Sequence, residues 1–485
     1  MSLDPTLVRN ANFINGSWKE AQGGNTLAVT NPATGAAIGQ IPKFGRAETA
    51  DAIAAAHDAQ KAWRRLTADA RAEHMHRLCD AIMNQIDDLA ILLTTEMGKP
   101  LAEAKGEIAL GVKYIRFYAE EGKRIYGDTI PSPWADRRLL VTKEPVGVAG
   151  AITPWNFPNS MIARKLGAAL AAGCTIVIKP SEFTPYSALA FGVMAEKVGL
   201  PKGVINIVTG DAAAIGDEMC ENPKLRKITF TGSTRVGKLL AEKAGRHMKK
   251  ISMELGGNAP FIVFDDADLD KAVAGAIASK FRNSGQTCVC ANRVYVQSGV
   301  YDAFAAKLTA AIEAELKPGN GLEAGVTQGP LINEAAVEKV EAHLKDALDK
   351  GGKLQTGGSR VGNVGTFFAP TLVTNASTTM RVAREETFGP LAVLFKFETE
   401  EEAIALANDT EYGLACYFYT SDLGRSFRVM EGLEYGLVGV NEGVITTEVA
   451  PFGGFKDSGI GNEGSKYGLD DYLNIKYACI GGLGI

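Results

Sequence analysis

The chain has 485 residues, 22% of them charged and 46% hydrophobic, which is enough for about three domains, or two large ones with an appendage, and excludes a disordered chain. Lys and Arg total 51 against 56 Asp and Glu, so the net charge of −5 offers no basic field to a nucleic-acid backbone. The longest uncharged apolar stretch, Leu166 to Ile178, is fenced by Arg164, Lys165 and Lys179 and falls short of the roughly 20 residues a membrane span needs. Met1 to Asn10 carries Asp4 and Arg9 and has no apolar core, so it does not read as a secretory signal. The cysteines at 79, 174, 220, 288, 290, 416 and 479 are too scattered for a disulfide framework and suit a reducing, cytoplasmic compartment.

In chain order, Ala50–Leu66, Ala70–Met97 and Leu101–Gly122 have the spacing of amphipathic helices, and Arg138–Lys143 that of an exposed strand. From residue 146 short β-rich runs (146–153, 175–179, 204–209, 227–231) alternate with helical stretches (160–172, 185–198, 212–220). A second series of strands follows at 261–264, 291–297, 371–373, 392–397, 415–420 and 438–440. This alternation predicts two doubly wound α/β domains with parallel sheets, meeting near Leu255–Asn258. The tail, 470–479, reads as an edge strand able to pair with 138–143, in this chain or in a partner.

Several residues stand out chemically. Cys288, in Phe281-Arg-Asn-Ser-Gly-Gln-Thr-Cys-Val-Cys290, sits on a polar turn between a helix and a strand, where a thiol can act as a nucleophile. On local sequence alone an inert loop cysteine is the simpler reading. Cys-x-Cys without a second Cys or His cluster predicts no metal site. Glu254, in Ile251-Ser-Met-Glu-Leu-Gly-Gly-Asn258, ends an apolar run, and poor solvation there suits a general base; a strand-end Glu facing water is an even alternative. Thr153-Pro-Trp-Asn-Phe-Pro158 follows a strand at its carboxyl end, where open α/β sheets bind ligands, and Asn156 could donate to an oxyanion.

Phe230-Thr-Gly-Ser-Thr-Arg-Val-Gly237 reads as strand, turn and helix start, with Ser233 as the cap and the helix N-terminus open to a pyrophosphate. Lys179-Pro-Ser-Glu182 could hold a ribose. Gly459-Ile-Gly-Asn-Glu-Gly464 is the one GxGxxG run; with no strand before it, it reads as a flexible loop. The histidines, 57, 74, 76, 247 and 343, lie in or after charged helical stretches and read as solvated, which leaves little support for a Ser-His-Asp hydrolase or a His-rich metal enzyme.

Taken in order, Pro-Trp-Asn-Phe-Pro, Lys-Pro-Ser-Glu, Phe-Thr-Gly-Ser, Glu-Leu-Gly-Gly, Gly-Gln-x-Cys and Glu386-x-Phe-Gly-Pro390 resemble the aldehyde dehydrogenase superfamily over nearly the whole chain. Glu254–Phe264, Phe281–Cys290, Pro451–Gly454 and Glu463–Tyr467 look like its succinate-semialdehyde dehydrogenase branch. The resemblance implies a cofactor domain of residues 1–124 and 145–254 and a catalytic domain of 255–450. It implies an oligomerisation element of 125–144 with the tail 451–485, building a homodimer or homotetramer.

The same resemblance implies that Cys288 attacks the aldehyde, that Asn156 and the Cys288 N–H hold the oxyanion, and that Glu254 activates water to hydrolyse the thioester, with deprotonation of Cys288 as a second candidate role for Glu254. It implies that Ser233 meets the pyrophosphate, Lys179 and Glu182 the adenosine ribose, and Glu386 the nicotinamide ribose, with Thr153, Trp155, Ser181, Gly232, Leu255 and Phe388 along the same cofactor. The Glu182 carboxylate favours NAD, which leaves NADP as the alternative. Arg164 and Arg282 match branch positions that grip a substrate carboxylate. Thr446, where the branch commonly has Ser, leaves succinate against glutarate semialdehyde open. Cys290 is implied as the partner of Cys288 in a disulfide that shuts off the enzyme. A CoA-acylating relative lacks the hydrolytic Glu, so Glu254 argues against one; intact Cys288, Glu254 and Asn156 argue against a non-catalytic relative.

Overall fold

Runs that are apolar at every position can satisfy their surroundings only inside a sheet covered on both faces. In the computed structural model, which describes residues 4–482, the strands Thr175–Lys179 and Ala259–Val263 are buried throughout and lie in two separate sheets. The first sheet has the order Ser17–Lys19, Asn12–Ile14, Ile205–Ile207, Thr175–Lys179, Val148–Ile152, Leu225–Thr231, Lys250–Glu254, Gly459–Ile460. Its centre is parallel, and antiparallel strands close both edges.

The second sheet has the order Lys353–Thr356, Thr371–Ala376, Leu391–Phe397, Ala291–Gln297, Ala259–Val263, Ala415–Tyr419, Leu437–Val440. It is parallel except at the Lys353–Thr356 edge. The fold is therefore α/β with two doubly wound units, as the alternation predicts. The chain passes from the first sheet to the second between Glu254 and Ala259, and Ser458 ties that crossing. Its carbonyl accepts the Leu255 N–H at 2.9 Å, and its hydroxyl donates to the Gly256 carbonyl at 2.7 Å.

The tail strand Leu473–Ile480 pairs with Arg138–Pro145 within this chain, and Asp128–Ile130 lies on the far side of Arg138–Pro145. Leu473–Ile480 is thus an edge strand, with Ile475 76% and Tyr477 56% exposed.

The structure differs from the sequence reading in several places, among them the edge strand Lys353–Thr356, which the sequence reading does not include. The span 70–97 is two helices, Ala68–Met83 and Ile86–Met97, broken at Gln85, whose amide donates to the Asp4 carboxylate. Periodicity alone does not reveal such a break. The strands Asn12–Ile14, Ser17–Lys19, Thr26–Thr30 and Ala37–Pro42 went unread because each is short and only partly apolar. The GxGxxG run is no flexible loop: Gly459 and Ile460 pair with Glu254 and Met253. His343 is not solvated but fully buried, its ring nitrogens each 3.2 Å from Thr387 Oγ1 and Glu385 Oε2.

Two helices position much of the site. Ser160–Ala172 is buried along its whole length, including Arg164 and Lys165. Leu101–Glu121 packs beside it and presents Glu103 and Glu107, one turn apart, on one face.

Candidate active site

Cys288 follows a strained turn. After the helix Leu269–Phe281, Asn283, Ser284 and Gly285 take φ values of 52°, 54° and 73° in succession. Each non-glycine residue held so costs about 1–3 kcal/mol and persists only where its surroundings enforce it. Here the Asn283 N–H donates to Glu103 Oε2 at 2.9 Å, and Ser284 Oγ donates to the Gly329 carbonyl at 2.8 Å. At Gly285 a Cβ would overlap the Gly389 carbonyl, so the position also needs a bare backbone. Gln286 completes the clamp by donating to the Asn283 and Pro330 carbonyls and accepting the Ile332 N–H.

The turn delivers Cys288 to two cavities at once, one of about 250 Å³ and one of about 380 Å³. The Cys288 N–H has no acceptor among the described residues. Burial pushes the thiol up to about 12, with Arg164 opposing, so at neutral pH it is protonated and needs a base. A Cβ on Gly257 would lie 2.5 Å from the Cys288 carbonyl oxygen. Gly257→Ala is therefore expected to displace the nucleophile and lower kcat by about 10-fold or more, with NADH binding retained; steady-state kinetics beside a fluorescence titration check this.

Asn156 stands beside Cys288 in the larger cavity. Its Oδ1 accepts the Phe157 N–H at 3.1 Å, and its Nδ2 donates to the Gln286 carbonyl at 3.0 Å. These bonds fix the amide plane and leave a second Nδ2 hydrogen for an acceptor in the cavity.

The smaller cavity holds Arg164, Arg282 and Thr446 together with Cys288. The Arg164 guanidinium lies 4.6 Å from the Phe452 ring centre and 4.8 Å from that of Tyr114. Its Nε and Nη1 are buried without a hydrogen-bond partner, and Nη1 comes no nearer than 3.8 Å to Glu463. Unpaired guanidinium hydrogens out of water are costly unless an anion meets them. Arg282 lies 5.3 Å from the Phe157 ring centre on the same cavity.

Gly232, Ser233, Leu255, Trp155, Glu386 and Phe388 line the larger cavity. Ser233 caps the helix Thr234–Gly245 by accepting the Val236 N–H at 3.4 Å, so the positive end of that helix faces the cavity. Trp155 meets Phe388 edge-on at 5.6 Å, and Phe388 itself has φ 49°. Glu386 accepts the Gly257 N–H at 3.1 Å, and burial pushes its carboxyl up to about 7. A helix N-terminus attracts a pyrophosphate and a carboxylate accepts from ribose hydroxyls, so this cavity suits a dinucleotide.

The other candidates for that cofactor do not line this cavity. Thr153, Lys179, Ser181 and Glu182 gather at the carboxyl ends of Val148–Ile152 and Thr175–Lys179. There the Thr153 N–H donates to the Lys179 carbonyl at 3.1 Å, and Lys179 Nζ reaches Glu182 Oε2 at 3.4 Å. Ser181 Oγ accepts the Phe183 N–H at 3.3 Å.

Glu254 is buried at the end of Lys250–Glu254 and lines neither cavity. Both carboxylate oxygens lack a hydrogen-bond partner. Burial, reinforced by the Glu463 carboxylate, holds its pKa well above the ordinary range, against the pull of Lys165 and Arg164. Lys165 in turn pairs with Glu463 and donates to Thr231 Oγ1 at 2.6 Å. Cys290 points away from solvent, with Lys280 Nζ 3.4 Å from its sulfur.

Reading residue by residue missed Lys165, Glu463, Glu103, Glu107 and Lys339, the last of which lines the larger cavity. Lys165 carried a signal, a second cation inside an otherwise apolar helix. Glu463 was hidden in a run read as loop, and nothing local marks Glu103, Glu107 or Lys339.

The Aldehyde dehydrogenase family model matches residues 18–478. The chain is 59% identical over 477 residues to the glutarate-semialdehyde dehydrogenase of Pseudomonas putida, covering 98% of this chain and 99% of that one. It is 59% identical over 478 residues to the succinate-semialdehyde dehydrogenase [NADP(+)] of Escherichia coli (strain K12), covering 99% of each. The crystal structure of succinate-semialdehyde dehydrogenase from Burkholderia pseudomallei superposes with a TM-score of 0.98 at 59% identity, covering 99% of this chain and 100% of that one.

Proposed function

From the premise that the chain belongs to the aldehyde dehydrogenase family, we propose that it oxidises succinate semialdehyde to succinate with NAD(P), with glutarate semialdehyde as the second reading. The observation that carries the substrate class is Arg164. It lines the same cavity as Cys288, beside Arg282, and carries two buried N–H groups without a partner. An aldehyde bearing a carboxylate at its far end meets both requirements of that cavity. Glutarate semialdehyde remains the second reading because relatives of both names match at 59% and Thr446 alters the wall.

In this reading the Cys288 thiol gives its proton to solvent water, and its sulfur bonds to the aldehyde carbon as the carbonyl pair moves onto oxygen. The oxyanion takes hydrogen bonds from Asn156 Nδ2 and the Cys288 N–H, donors that act where charge develops. As the oxyanion collapses, hydride leaves the former aldehyde carbon for the acceptor that bound NAD(P) supplies. Ser233 would hold its pyrophosphate, Glu386, Trp155 and Phe388 its nicotinamide end, and Lys179, Ser181, Glu182 and Thr153 its adenosine end. A thioester on Cys288 results. Glu254 then takes a proton from water, the hydroxide adds to the thioester, and the Cys288 thiolate leaves. Because the Glu254 oxygens have no hydrogen bonds to break, turning the carboxylate toward Cys288 forfeits none.

Glu182 favours NAD, since a carboxylate repels a 2′-phosphate; the E. coli relative, named for NADP(+), marks the alternative. Residues 1–124 with 145–254 form the cofactor unit, 255–450 the catalytic unit, and 125–144 with 451–485 the element through which copies assemble. The exposed edge strand Leu473–Ile480, with Ile475 and Tyr477 outward, supports that assembly as a homodimer or homotetramer. The free cysteines fit a cytoplasmic setting, and Cys290, two residues from Cys288, fits the role of its redox partner. No helix among the described residues is long and apolar enough to cross a membrane.

The test is NADH or NADPH production at 340 nm with succinate semialdehyde, glutarate semialdehyde and butanal. An acid semialdehyde is expected to be preferred strongly over butanal. Arg164→Met should raise its KM about 100-fold or more while sparing butanal, because a buried carboxylate loses its partner. Equal use of butanal by the native enzyme contradicts the carboxylate clamp.

A further inference from the structure

Lys99 lies just before the helix Leu101–Glu121, with its side chain fully buried. Its Nζ donates to Glu107 Oε2 at 2.5 Å and to the backbone carbonyl of Asn156 at 2.8 Å. The ammonium also sits 3.8 Å from the ring centre of Phe157. Glu107 spends its other oxygen on the start of the next helix, accepting the Asn159 N–H at 2.8 Å and the Ser160 N–H at 3.1 Å. The loop that carries Asn156 is therefore gripped on both sides by one buried ion pair.

One turn earlier on the same helix, Glu103 accepts the Asn283 N–H at the head of the strained turn that delivers Cys288. Asn283 Nδ2 closes the circuit by donating at 3.0 Å to the same Asn156 carbonyl that Lys99 holds. The two halves of the oxyanion site thus come from different sheets and are referenced to one helix. Burying a lysine and a glutamate is a poor way to gain stability, since desolvation cancels most of their attraction. The pair makes better sense as a geometric clamp.

We propose that Lys99 and Glu107 are positioning residues that hold Asn156 in register with Cys288, with Glu103 fixing the Cys288 side of the same frame. This rests on the oxyanion role proposed for Asn156. An error of about 1 Å in such a donor costs about 100-fold in rate.

The experiment compares Lys99→Met, Asn156→Ala and the double variant by kcat, KM for the acid semialdehyde, and NADH dissociation constant. Lys99→Met is expected to lower kcat about 10–100-fold, with KM and NADH affinity within about three-fold of the native values. In the Asn156→Ala background the same change should cost less than about three-fold more, because residues acting through one another are not additive. Should Lys99→Met not accumulate as folded protein, Glu107→Gln carries the same comparison. It keeps an acceptor for Asn159 and Ser160 while removing the anchor of the ammonium.

A multiplicative loss in the double variant, or a kcat loss that tracks loss of NADH binding, overturns the positioning role and leaves Asn156 in place. Undiminished kcat in Asn156→Ala overturns the oxyanion reading beneath it, and the positioning role with it.

Discussion

Cys288→Ala is expected to lower kcat/KM for the acid semialdehyde by about 10⁴–10⁶-fold, the scale seen when a covalent nucleophile is removed. NADH binding should survive. Cys288 occupies the junction of the two cavities, while Ser233, Glu386 and the Trp155–Phe388 pair that would hold the cofactor remain in place. Cys290→Ala, two residues away, is expected to leave turnover within a few-fold, since its sulfur is buried against Lys280 and lines neither cavity. Rate assays with a fluorescence titration of NADH separate the two variants. A Cys288→Ala enzyme that still turns over would move the covalent step elsewhere.

Glu254→Gln is expected to split the reaction at its second half. The first turnover should still release one NADH per site, and the subsequent steady rate should fall about 10²–10⁴-fold as the thioester waits for an activated water. The pH dependence gives a sharper signature. A carboxylate acts as a base only when ionised, and burial with Glu463 nearby holds Glu254 well above its ordinary range. The ionised fraction therefore grows as pH rises through that elevated pKa. Hydrolysis of the thioester should keep climbing well above the pH of about 6.5 at which an exposed Glu is fully ionised. In Glu254→Gln that rise should vanish. A burst followed by hydrolysis that is flat above about pH 6.5 in the native enzyme would contradict the assignment.

The alternation of strands and helices from residue 146 was legible because buried parallel strands are near-continuous apolar runs, as Ile176-Val-Ile178 shows. The ordered motifs around Cys288, Asn156 and Glu254 were equally legible as a resemblance. The reach of Arg164 into the Cys288 cavity was legible only through the resemblance, because Ser160–Ala172 is buried all round and its sequence names no face. Glu463 stayed hidden because a glycine-rich run reads as loop until Met253 and Glu254 are seen to pair with it. Nothing in the sequence joins Lys99 to Glu107, and only the tertiary contact with the Asn156 carbonyl gives the pair meaning. His343 was misread for the same reason, since a charged helix can still bury one face.

The central claim is that the acyl group passes through Cys288. Its most direct test is intact-protein and peptide mass spectrometry of Glu254→Gln, acid-quenched after one turnover with succinate semialdehyde and NAD. A succinyl adduct on the peptide that carries Cys288, absent without the cofactor, is the predicted result. An NADH burst without any adduct, or an adduct on a different residue, would contradict it.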